Sequence, residues 1–490
     1  MLVIILIGLV LLLYLYQLMR NSNWNGQAPP SPPSHPILGH IPTLARIDSR
    51  PQFAFHHVAL QFGNLVRLKM GSQFMLLVSG FQEMKELQEN EVTANRANLP
   101  TTSLYTGTGK TKGILFNGGE EWKQLRKFTL RCFKDLGLGK NISEEIVIEE
   151  CRELNEKIEE LIGENDGIVD LDKLFNKAAL NIVWHFTAGE RFDYNDEKMN
   201  RFHFFVNSFA RIGKDVVGGP VGVFPILRFI PPFRAVFNSC AEGMSQLRNF
   251  ISATISEHEI SLDPRNPRDY IDMFLINARE NLYLTKKNLV TCCMDLFAAG
   301  SETTSRSLMF TLAFMMRHPE VAERVRNELE DVVGTKDLVR MEDKESLPYT
   351  EATLNEVWRI SNIVPVPPPR VTNKNLTIGH FEIPATTMMF SNTYSVHMDQ
   401  AYWGDPENFR PDRFMSEQKF RPDERNIPFG IGKRRCLGEN LARMENFLLF
   451  SNLMKHFTFD CVNGKLPDIN PEGGFTYGPP LFSVFIQKIN

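Results

Sequence analysis

The sequence has little excess charge. Its 490 residues include 54 lysines and arginines against 58 aspartates and glutamates, which gives a formal net charge of −4. Proteins that bind nucleic acid draw much of their affinity from basic groups that face phosphates, so this balance argues against a nucleic-acid partner. The seven cysteines are an odd number in a long chain. They do not indicate a disulfide-rich scaffold, and they leave thiols free for metal binding.

Low-complexity tracts and internal repeats are also missing. Hydrophobic residues make up 43% of the chain and charged residues 23%, which is typical of packed globular proteins and excludes disordered and collagen-like classes. Beyond one proline-rich stretch near the start, no linker divides the sequence. We therefore predict one large domain at residues 37–490.

Charge is absent from the first nineteen residues, which read MLVIILIGLVLLLYLYQLM. A helix of this kind can cross about 30 Å of hydrocarbon. The run lacks the basic start and small-residue cleavage site of a signal peptide, and its first flanking cation is Arg20. We predict a retained transmembrane anchor at residues 1–20, with the body of the protein on the cytoplasmic side. The prolines between Pro29 and Pro36 predict an extended hinge at residues 21–36.

Helical periodicity dominates the rest of the chain and predicts a mainly α protein with small β-sheets. Helices are predicted at residues 119–134, 144–162, 202–212, 241–262, 285–317, 319–333, 350–360 and 438–455. Strands are predicted at residues 65–70, 74–78, 376–383 and 388–391. The apolar, proline-broken segment Val221–Phe233 has two interpretations, a buried connector or a loop that dips into the bilayer.

The stretch FGIGKRRCLG, residues 429–438, is the most informative one. Cys436 lies where a glycine-rich turn meets a helix, among cations, and both the helix dipole and these cations favour the thiolate that binds iron. Gly430, Gly432 and Gly438 carry no side chain that would block a flat macrocycle. The alternative is an incidental cysteine in a glycine-rich loop.

These ten residues resemble the haem-binding signature of the cytochrome P450 monooxygenases, F-G-x-G-x-R-x-C-x-G, at every fixed position. The resemblance implies the mainly α cytochrome P450 fold, with Cys436 as the axial ligand to the iron of haem b. It also implies that Arg434 donates to a haem propionate and that Phe429 and Gly438 adjoin the cofactor. A thiolate ligand favours cleavage of the O–O bond.

Another motif of this family is a buried network that fixes the cysteine loop. Glu356 and Arg359 form an E-x-x-R pair on one helical face, and Arg413 follows in F-R-P-D-R-F. An E-x-x-R pair by itself is usually a solvated surface pair. The resemblance implies that these three residues form the structural network.

The segment AAGSETT, residues 298–304, resembles the central helix of the family. Gly300 costs a helix about 1 kcal/mol relative to alanine and therefore needs a reason, and a threonine hydroxyl can bond to an earlier carbonyl. The resemblance implies that Ala299 and Gly300 line the haem and that Glu302 and Thr303 are the catalytic proton donors. Helix packing is the alternative for an isolated Thr-Thr pair.

Further cofactor contacts come from three other segments. Trp122 and Arg126 are spaced four apart, so one helical face presents an indole N–H and a guanidinium to an anion. The resemblance implies that this anion is a haem propionate, and it adds Arg370 as a second propionate contact. It implies that His397 hydrogen-bonds near the haem edge, because Cys436 already occupies the axial position.

The resemblance also places a set of mostly apolar and aromatic residues around a substrate pocket, which suits a lipophilic small molecule. They are Leu104, Tyr105, Ile114, Phe116, Phe209, Phe297, Ala298, Val364, Val366, Phe475 and Thr476.

The implied activity is that of a monooxygenase in the endoplasmic reticulum membrane, which hydroxylates or epoxidises its substrate with one oxygen atom of O2. The chain has no G-x-G-x-x-G fingerprint, so NADPH and flavins are expected only in a partner, NADPH-cytochrome reductase, with cytochrome b5 as a second electron donor. Lys123, Lys127, Lys433 and Arg435 are candidates for the basic docking face. Solvated surface cations are the alternative.

Other functions remain open. A haem-thiolate isomerase or dehydratase needs no reductase, and a haem carrier or sensor has no turnover; the Glu302–Thr303 pair disfavours the isomerase. The segments Phe224–Leu227 and Pro367–Arg370 resemble the animal microsomal branch of the family. Within it the leading substrate is an isoprenoid hormone precursor, as in methyl farnesoate epoxidation in insects, and the alternatives are ecdysteroid hydroxylation and xenobiotic clearance.

Overall fold

The computed structural model describes residues 27–71, 73–98, 102–107, 109–139, 141–197 and 219–489, together with Gly8, Leu12, Trp24, Phe205 and Gly213. The predicted anchor at residues 1–20 and the predicted helix at residues 202–212 therefore lie almost entirely outside the described residues. In the part of the chain that is described, no helix is both long and apolar enough to cross a bilayer.

Helices form most of the described chain, as their apolar periodicity predicts. They are α1 (Ile41–Ile47), α2 (Pro51–Phe62), α3 (Phe81–Glu89), α4 (Thr102–Thr106), α5 (Gly119–Asp135), α6 (Asn141–Glu164), α7 (Leu171–Ala188), α8 (Pro220–Val223), α9 (Phe233–Ser261), α10 (Tyr270–Asn277), α11 (Lys286–Arg317), α12 (Pro319–Val333), α13 (Pro348–Ser361), α14 (Thr393–His397), α15 (Gln400–Trp403) and α16 (Glu439–His456). The predicted helix at residues 241–262 begins earlier than expected, at Phe233.

The strands are short. They are β1 (Leu65–Met70), β2 (Gln73–Val78), β3 (Asn95–Arg96), β4 (Ile168–Val169), β5 (Arg370–Val371), β6 (Leu376–Ile378), β7 (Phe381–Ile383), β8 (Met388–Ser391), β9 (Met415–Ser416), β10 (Lys419–Phe420), β11 (Phe457–Cys461), β12 (Glu472–Gly473), β13 (Tyr477–Gly478) and β14 (Val484–Lys488). The prediction of one strand at residues 376–383 is wrong, because Gly379 turns the chain with a φ of 57° and produces the hairpin β6–β7.

The largest sheet has the strand order β1-β2-β8-β5-β3, and a second sheet has the order β11-β14-β4. In the larger sheet β2 and β8 are parallel, whereas the other neighbours are antiparallel. The pairing of β3 with β5 places Arg96 directly opposite Arg370. This register brings two segments that are distant in sequence to the same edge of the sheet.

The core centres on α11, which packs against α7. Trp184 of α7 meets Phe297 of α11 edge to face, with ring centroids 6.3 Å apart, and both side chains are buried. A Cβ atom at Gly300 would overlap Cγ2 of Val183 on α7. Close helix packing is therefore the structural reason for this glycine inside a helix.

The proline-rich segment packs on the domain rather than standing free of it. The carbonyl of Pro30 accepts a hydrogen bond from the Arg67 N–H at 2.9 Å. His40 is buried and lies within 2.9 Å of the Pro32 carbonyl, while its Nδ1 accepts from the Lys69 N–H at 2.7 Å. The described part of the predicted hinge is thus fixed to the edge of the large sheet.

The segment at residues 221–233 is buried in part and exposed in part. Val221 is buried, and Leu227 and Phe233 pack against the core. Ile226, Phe229 and Ile230 instead expose 56%, 62% and 47% of their surfaces, the first two in a 3-10 turn, Pro225–Phe229. The segment is therefore a connector that also presents an exposed apolar turn, and both interpretations keep support.

Candidate functional site

The loop that carries Cys436 is fixed by backbone contacts. The Cys436 N–H donates to the Phe429 carbonyl at 2.9 Å, which closes the loop just before α16. Gly432 has a φ of 69°, and a Cβ atom at this position would overlap the carbonyl oxygen of Gln88 in α3. Only glycine allows the loop to lie this close to α3. The side chain of Cys436 nevertheless remains accessible.

The surroundings of Cys436 act on the pKa of its thiol in opposite directions. The surrounding protein atoms desolvate the sulfur and raise the pKa of the thiol, whereas the hydrogen bond from Gly438 and the charges of Arg126 and Arg435 lower it less. These cations are already engaged, since Arg126 bonds to the Arg435 carbonyl at 2.6 Å and Arg435 pairs with Glu439. A thiol of this kind becomes a thiolate when a metal ion binds to it.

Four guanidinium groups gather near the cysteine loop. Arg96 and Arg370 face each other across β3 and β5, although like charges in such positions destabilise a sheet. Desolvation, with repulsion from neighbouring arginines, lowers the pKa of Arg434 to about 7 and that of Arg96 to about 9. Desolvation alone lowers the pKa of Arg370 to about 10, and it also lowers that of Arg126. An anion placed among these guanidinium groups would offset their desolvation and mutual repulsion.

The protein offers these arginines only neutral oxygen acceptors. Arg434 bonds to the carbonyls of Ala94, Ile114 and Asn117, and Arg370 bonds to the carbonyl and side-chain oxygens of Gln88. Arg96 and Arg126 likewise bond to carbonyls. None of the four pairs with a carboxylate from the described residues.

An unpaired indole adjoins this cluster. The Arg434 guanidinium lies 3.6 Å from the centre of the Trp122 ring. Trp122 is buried, and its Nε1 has no hydrogen-bond partner among the described residues. Leaving a buried donor unsatisfied costs about 1–3 kcal/mol, so Trp122 points to the same anion as the arginines. Trp122 and Arg126, which are spaced four apart on α5, thus lie in the same cluster as arginines from three other segments of the chain.

On α11 the structure exposes a narrow stripe. Ala299 is accessible and Thr303 is half-buried, whereas Ala298 and Ser301 beside them are buried. The Thr303 hydroxyl donates to the Ala299 carbonyl at 2.6 Å, as the sequence predicts for a threonine at this spacing. The stripe therefore presents the small side chain of Ala299 and the hydroxyl of Thr303.

A hydrogen bond fixes α11 to the helix that follows Cys436. The Thr304 hydroxyl donates to Oε2 of Glu445 on α16 at 2.8 Å. Burial raises the pKa of Glu445 to about 8. This bond sets the position of the Ala299–Thr303 stripe relative to the cysteine loop.

Glu302 is buried and does not share the stripe with Thr303. Its carboxylate faces Arg306, with Oε1 3.9 Å from Nε, and Thr476. Burial raises the pKa of Glu302 to about 7, although Arg306 and Thr476 lower it. The carboxyl group can therefore hold or release a proton near neutral pH.

The E-x-x-R residues and Arg413 form one buried ion-pair network. Arg359 binds both carboxylate oxygens of Glu356, at 2.7 and 2.8 Å, and Arg413 Nε binds Oε1 at 3.1 Å. Arg359 also donates to the His397 carbonyl at 2.8 Å, and Arg413 donates to the Trp403 carbonyl at 2.7 Å. The network therefore joins α13 to the irregular chain that precedes the cysteine loop.

His397 belongs to this network rather than to the arginine cluster. Its Nδ1 lies 2.7 Å from Oδ1 of Asn362, and its Nε2 accepts from the Ile427 N–H at 3.0 Å. Burial and the charge of Arg359 lower the pKa of His397 to about 3, so the imidazole is neutral. Both ring nitrogens are bound by the protein itself.

The expected pocket residues differ in what they contact. Tyr105, Phe116 and Phe475 form an aromatic row with successive centroids 5.3 and 5.9 Å apart. Phe297 and Ala298 are buried, as Tyr105 is, and Phe297 packs against Trp184 of α7.

The remaining expected pocket residues are less closely linked. Leu104 and Ile114 are buried, while Val364 and Val366 are half-buried. Thr476 is buried beside Glu302. Phe209 lies outside the described residues.

Sequence reasoning missed several residues of the site. Arg96 lies in a two-residue strand that has no periodic signal, and only the pairing with β5 shows its role. Asp295 accepts hydrogen bonds from the Tyr105 hydroxyl at 2.8 Å and from the Ile114 N–H at 2.6 Å, which fixes the loop after α4 to α11. A charged residue one turn before Ala299 was the available signal for Asp295.

Comparison with known proteins agrees with this geometry. The family model described as Cytochrome P450 matches residues 29–486. Cytochrome P450 2U1 of Bos taurus is 32% identical over 94% of this chain and 89% of its own length, and Cytochrome P450 2J2 of Homo sapiens is 33% identical over 92% and 89%. Cytochrome P450 2C44 of Mus musculus is 34% identical over 97% and 96%. The chain therefore belongs to the cytochrome P450 family of haem-thiolate monooxygenases, and it is an oxidoreductase.

Proposed function

We propose that Cys436 is the axial ligand of the haem iron and that the arginine cluster binds the haem propionates. The observation that carries this assignment is the group of Arg96, Arg126, Arg370 and Arg434 beside the cysteine loop, without a carboxylate partner among the residues described. A haem supplies two carboxylates, and the unpaired Nε1 of Trp122 supplies a further donor. The residues present therefore fit the group.

When bound, a thiolate-ligated haem supplies reductive activation of dioxygen. The protein's own contribution is to shape the reacting face and to move protons. Ala299 keeps that face of α11 free of bulk, and Thr303 presents a hydroxyl that is oriented by the Ala299 carbonyl. Glu302, protonated in part near neutral pH, is the proton source for this hydroxyl.

We propose a lipophilic substrate that lies along the aromatic row of Tyr105, Phe116 and Phe475. Asp295 adds no free charge there, because three donors satisfy its carboxylate. An isoprenoid hormone precursor such as a farnesoate, hydroxylated or epoxidised, remains the leading candidate. Ecdysteroids and xenobiotics are the alternatives that a binding titration would reveal.

We propose that electrons come from NADPH through a cytochrome reductase, with cytochrome b5 as a second donor. Of the four candidate cations, Lys123 pairs with Glu91 and Arg435 with Glu439. Lys127 and Lys433 have no ion-pair partner within the described ranges. These two lysines are the better candidates for an acidic partner surface.

We further propose that the protein associates with the endoplasmic reticulum membrane through residues 1–20 and through the exposed turn at residues 225–230. The support for the turn is its three exposed apolar side chains.

Phe229→Trp tests this membrane contact. We expect its added fluorescence to shift to shorter wavelength on phospholipid vesicles and to be quenched by brominated lipid, because the ring enters an apolar medium. Leu282→Trp is the matched control, since Leu282 is 83% exposed in a different loop. Equal quenching of both variants, or of neither, would remove the turn from the membrane contact.

Turnover with reductase tests the function as a whole. We expect NADPH and O2 consumption coupled to an oxygenated product, and a substrate-induced change in haem spin state with farnesoids, steroids or fatty acids. In Thr303→Ala we expect normal haem content but a severalfold larger share of electrons released as hydrogen peroxide, because the oriented hydroxyl is lost. Haem binding without any reductase-dependent consumption would favour an isomerase or a carrier instead.

A further inference from the structure

We propose that Arg306, held in place by Asp172, is a positioning residue for the Glu302 carboxyl and that these groups, with Thr476, bind one water molecule that protonates Glu302. This inference rests on the proposed role of Glu302 as a proton source. It adds two residues, Arg306 and Asp172, that the cysteine and central-helix motifs do not contain.

The first support is a chain of charges that leads inward from a partly exposed group. Asp172 on α7 lies 3.4 Å from Nη1 of Arg306, whose Nε lies 3.9 Å from Oε1 of Glu302. The exposed fractions of the three side chains are 15%, 21% and 3% in that order. Arg306 thus stands between a carboxylate that solvent reaches and one that solvent does not reach.

The second support is a space built for the Arg306 side chain. Gly478 of β13 lies against it, and a Cβ atom there would overlap Cδ of Arg306 and come within 2.9 Å of its Nε. A larger residue at position 478 would displace the Arg306 side chain from its observed position. The contact holds the guanidinium toward Glu302.

The third support is a set of buried polar atoms that lack partners. Oε2 of Glu302, Nε of Arg306 and Oγ1 of Thr476 have no partner with hydrogen-bond geometry in the described structure, although the Thr476 hydroxyl lies near enough to the Glu302 carboxyl to lower its pKa. Buried polar groups are almost always satisfied, commonly by an ordered water with about three partners. An acceptor, an N–H donor and a hydroxyl are the partners that one water needs.

The proton transfer follows from these charges. The bound water relays a proton from solvent: it accepts one proton from the solvent side as it donates another to Oε2 of the Glu302 carboxylate, which becomes a carboxylic acid, so the water stays neutral throughout. Arg306 keeps its own proton and acts by charge alone. The groups that face the carboxyl are Arg306 and Thr476, which lower the pKa of Glu302, and Asp172, which raises it.

The test is to titrate the Glu302 carboxyl by pH-difference infrared spectroscopy in the holoenzyme. The band is assigned by its loss in Glu302→Gln. In Arg306→Gln we expect the titration to move up by about one pH unit, since a neighbouring cation commonly lowers a carboxyl pKa by 1–3 units. The pH profile of the peroxide share should move in the same direction. Arg306→Lys keeps the positive charge, so the Glu302 titration in this variant should stay close to that of the parent protein.

Substitutions of Asp172 and Thr476 test the other two residues of the proposed water site. Asp172→Asn should move the Glu302 titration downward, because it removes a negative charge. Thr476→Val removes one partner of the water, and we expect it to raise the peroxide share. The reduced carbon monoxide spectrum checks that each variant retains its haem site.

Two results would overturn the inference. One is a Glu302 titration that stays unmoved in Arg306→Gln although the band is visible; the other is an unchanged peroxide share in Thr476→Val. Failure of the proposed function looks different. In that case Glu302→Gln leaves the peroxide share unchanged, while Arg306→Gln still moves the infrared titration.

Discussion

Cys436→Ala is expected to remove the thiolate signature from the reduced carbon monoxide spectrum and to reduce monooxygenase turnover to background. No other thiol can replace it. Five of the other thiols are buried, namely those of Cys132, Cys151, Cys240, Cys292 and Cys293. The sixth, Cys461, is half-buried at the end of β11. The arginine cluster stays intact in this variant, so some haem should still bind, with a different axial ligand or none.

Cys461→Ala is the matched control, because it removes the thiol that is second in accessibility without touching the loop. Its spectrum should equal that of the parent protein. If Cys436→Ala retained the thiolate signature, the ligand assignment would be wrong. If Cys461→Ala lost it, the ligand would lie in β11.

Arg359→Ala is expected to lower the free energy of unfolding by about 3–5 kcal/mol, the usual cost of leaving a buried charge without its partner. Arg359 is fully buried, and it binds both oxygens of the equally buried Glu356. Its loss also frees the His397 carbonyl, which it holds at 2.8 Å. We expect a lower urea midpoint by circular dichroism and little haem in the purified chain.

Arg324→Ala is the control for this prediction. Arg324 pairs with Asp412 at 2.9 Å and lies over the Tyr349 ring at 3.7 Å, but both members of the ion pair are about half exposed. An exposed pair contributes about 0–1 kcal/mol. Similar urea midpoints for the two alanine variants would contradict the importance assigned to burial, and normal haem content in Arg359→Ala would separate the network from the cysteine loop.

Long runs of helix-forming and apolar residues predicted most of the long elements, even where a helix such as α11 or α16 is buried on nearly every side. The helices at Lys286–Arg317, Pro319–Val333 and Glu439–His456 agree with the predicted ranges to within one residue at each end. Short elements were missed or merged. The two-residue strands β3 and β5 carry no periodic signal, since they exist only through their pairing with each other and with β8.

The candidate site was predictable where a motif is contiguous. The cysteine loop, the E-x-x-R pair and the Glu302–Thr303 dipeptide each stand together in sequence, and the loop and the pair contain partners that meet in the structure. The assignment of Gly300 to the haem face stays a prediction, and the structure adds a reason for this glycine that the motif did not contain, namely the close packing of Val183. The orientation of a side chain around a helix depends on which neighbour packs there, which a local motif does not contain.

The charge of Cys436 shows the same limit. The cations near Cys436 lower the pKa of its thiol, as the sequence predicts, but Arg435 is also paired with Glu439, and desolvation raises the pKa. Desolvation depends on all the atoms around a group. A sequence names the neighbouring charges but not the depth at which a group lies.

The sequence by itself determined the family, the cysteine ligand candidate, the central helix and the largely helical architecture, because these depend on local patterns and contiguous motifs. Only the tertiary structure decided that Arg96 lies opposite Arg370 and so joins the arginines that the motifs had named, and that Arg306 and Asp172 stand behind Glu302. These groups come from segments up to several hundred residues apart. Long-range strand pairing and helix packing bring them together, and no local pattern encodes such a contact.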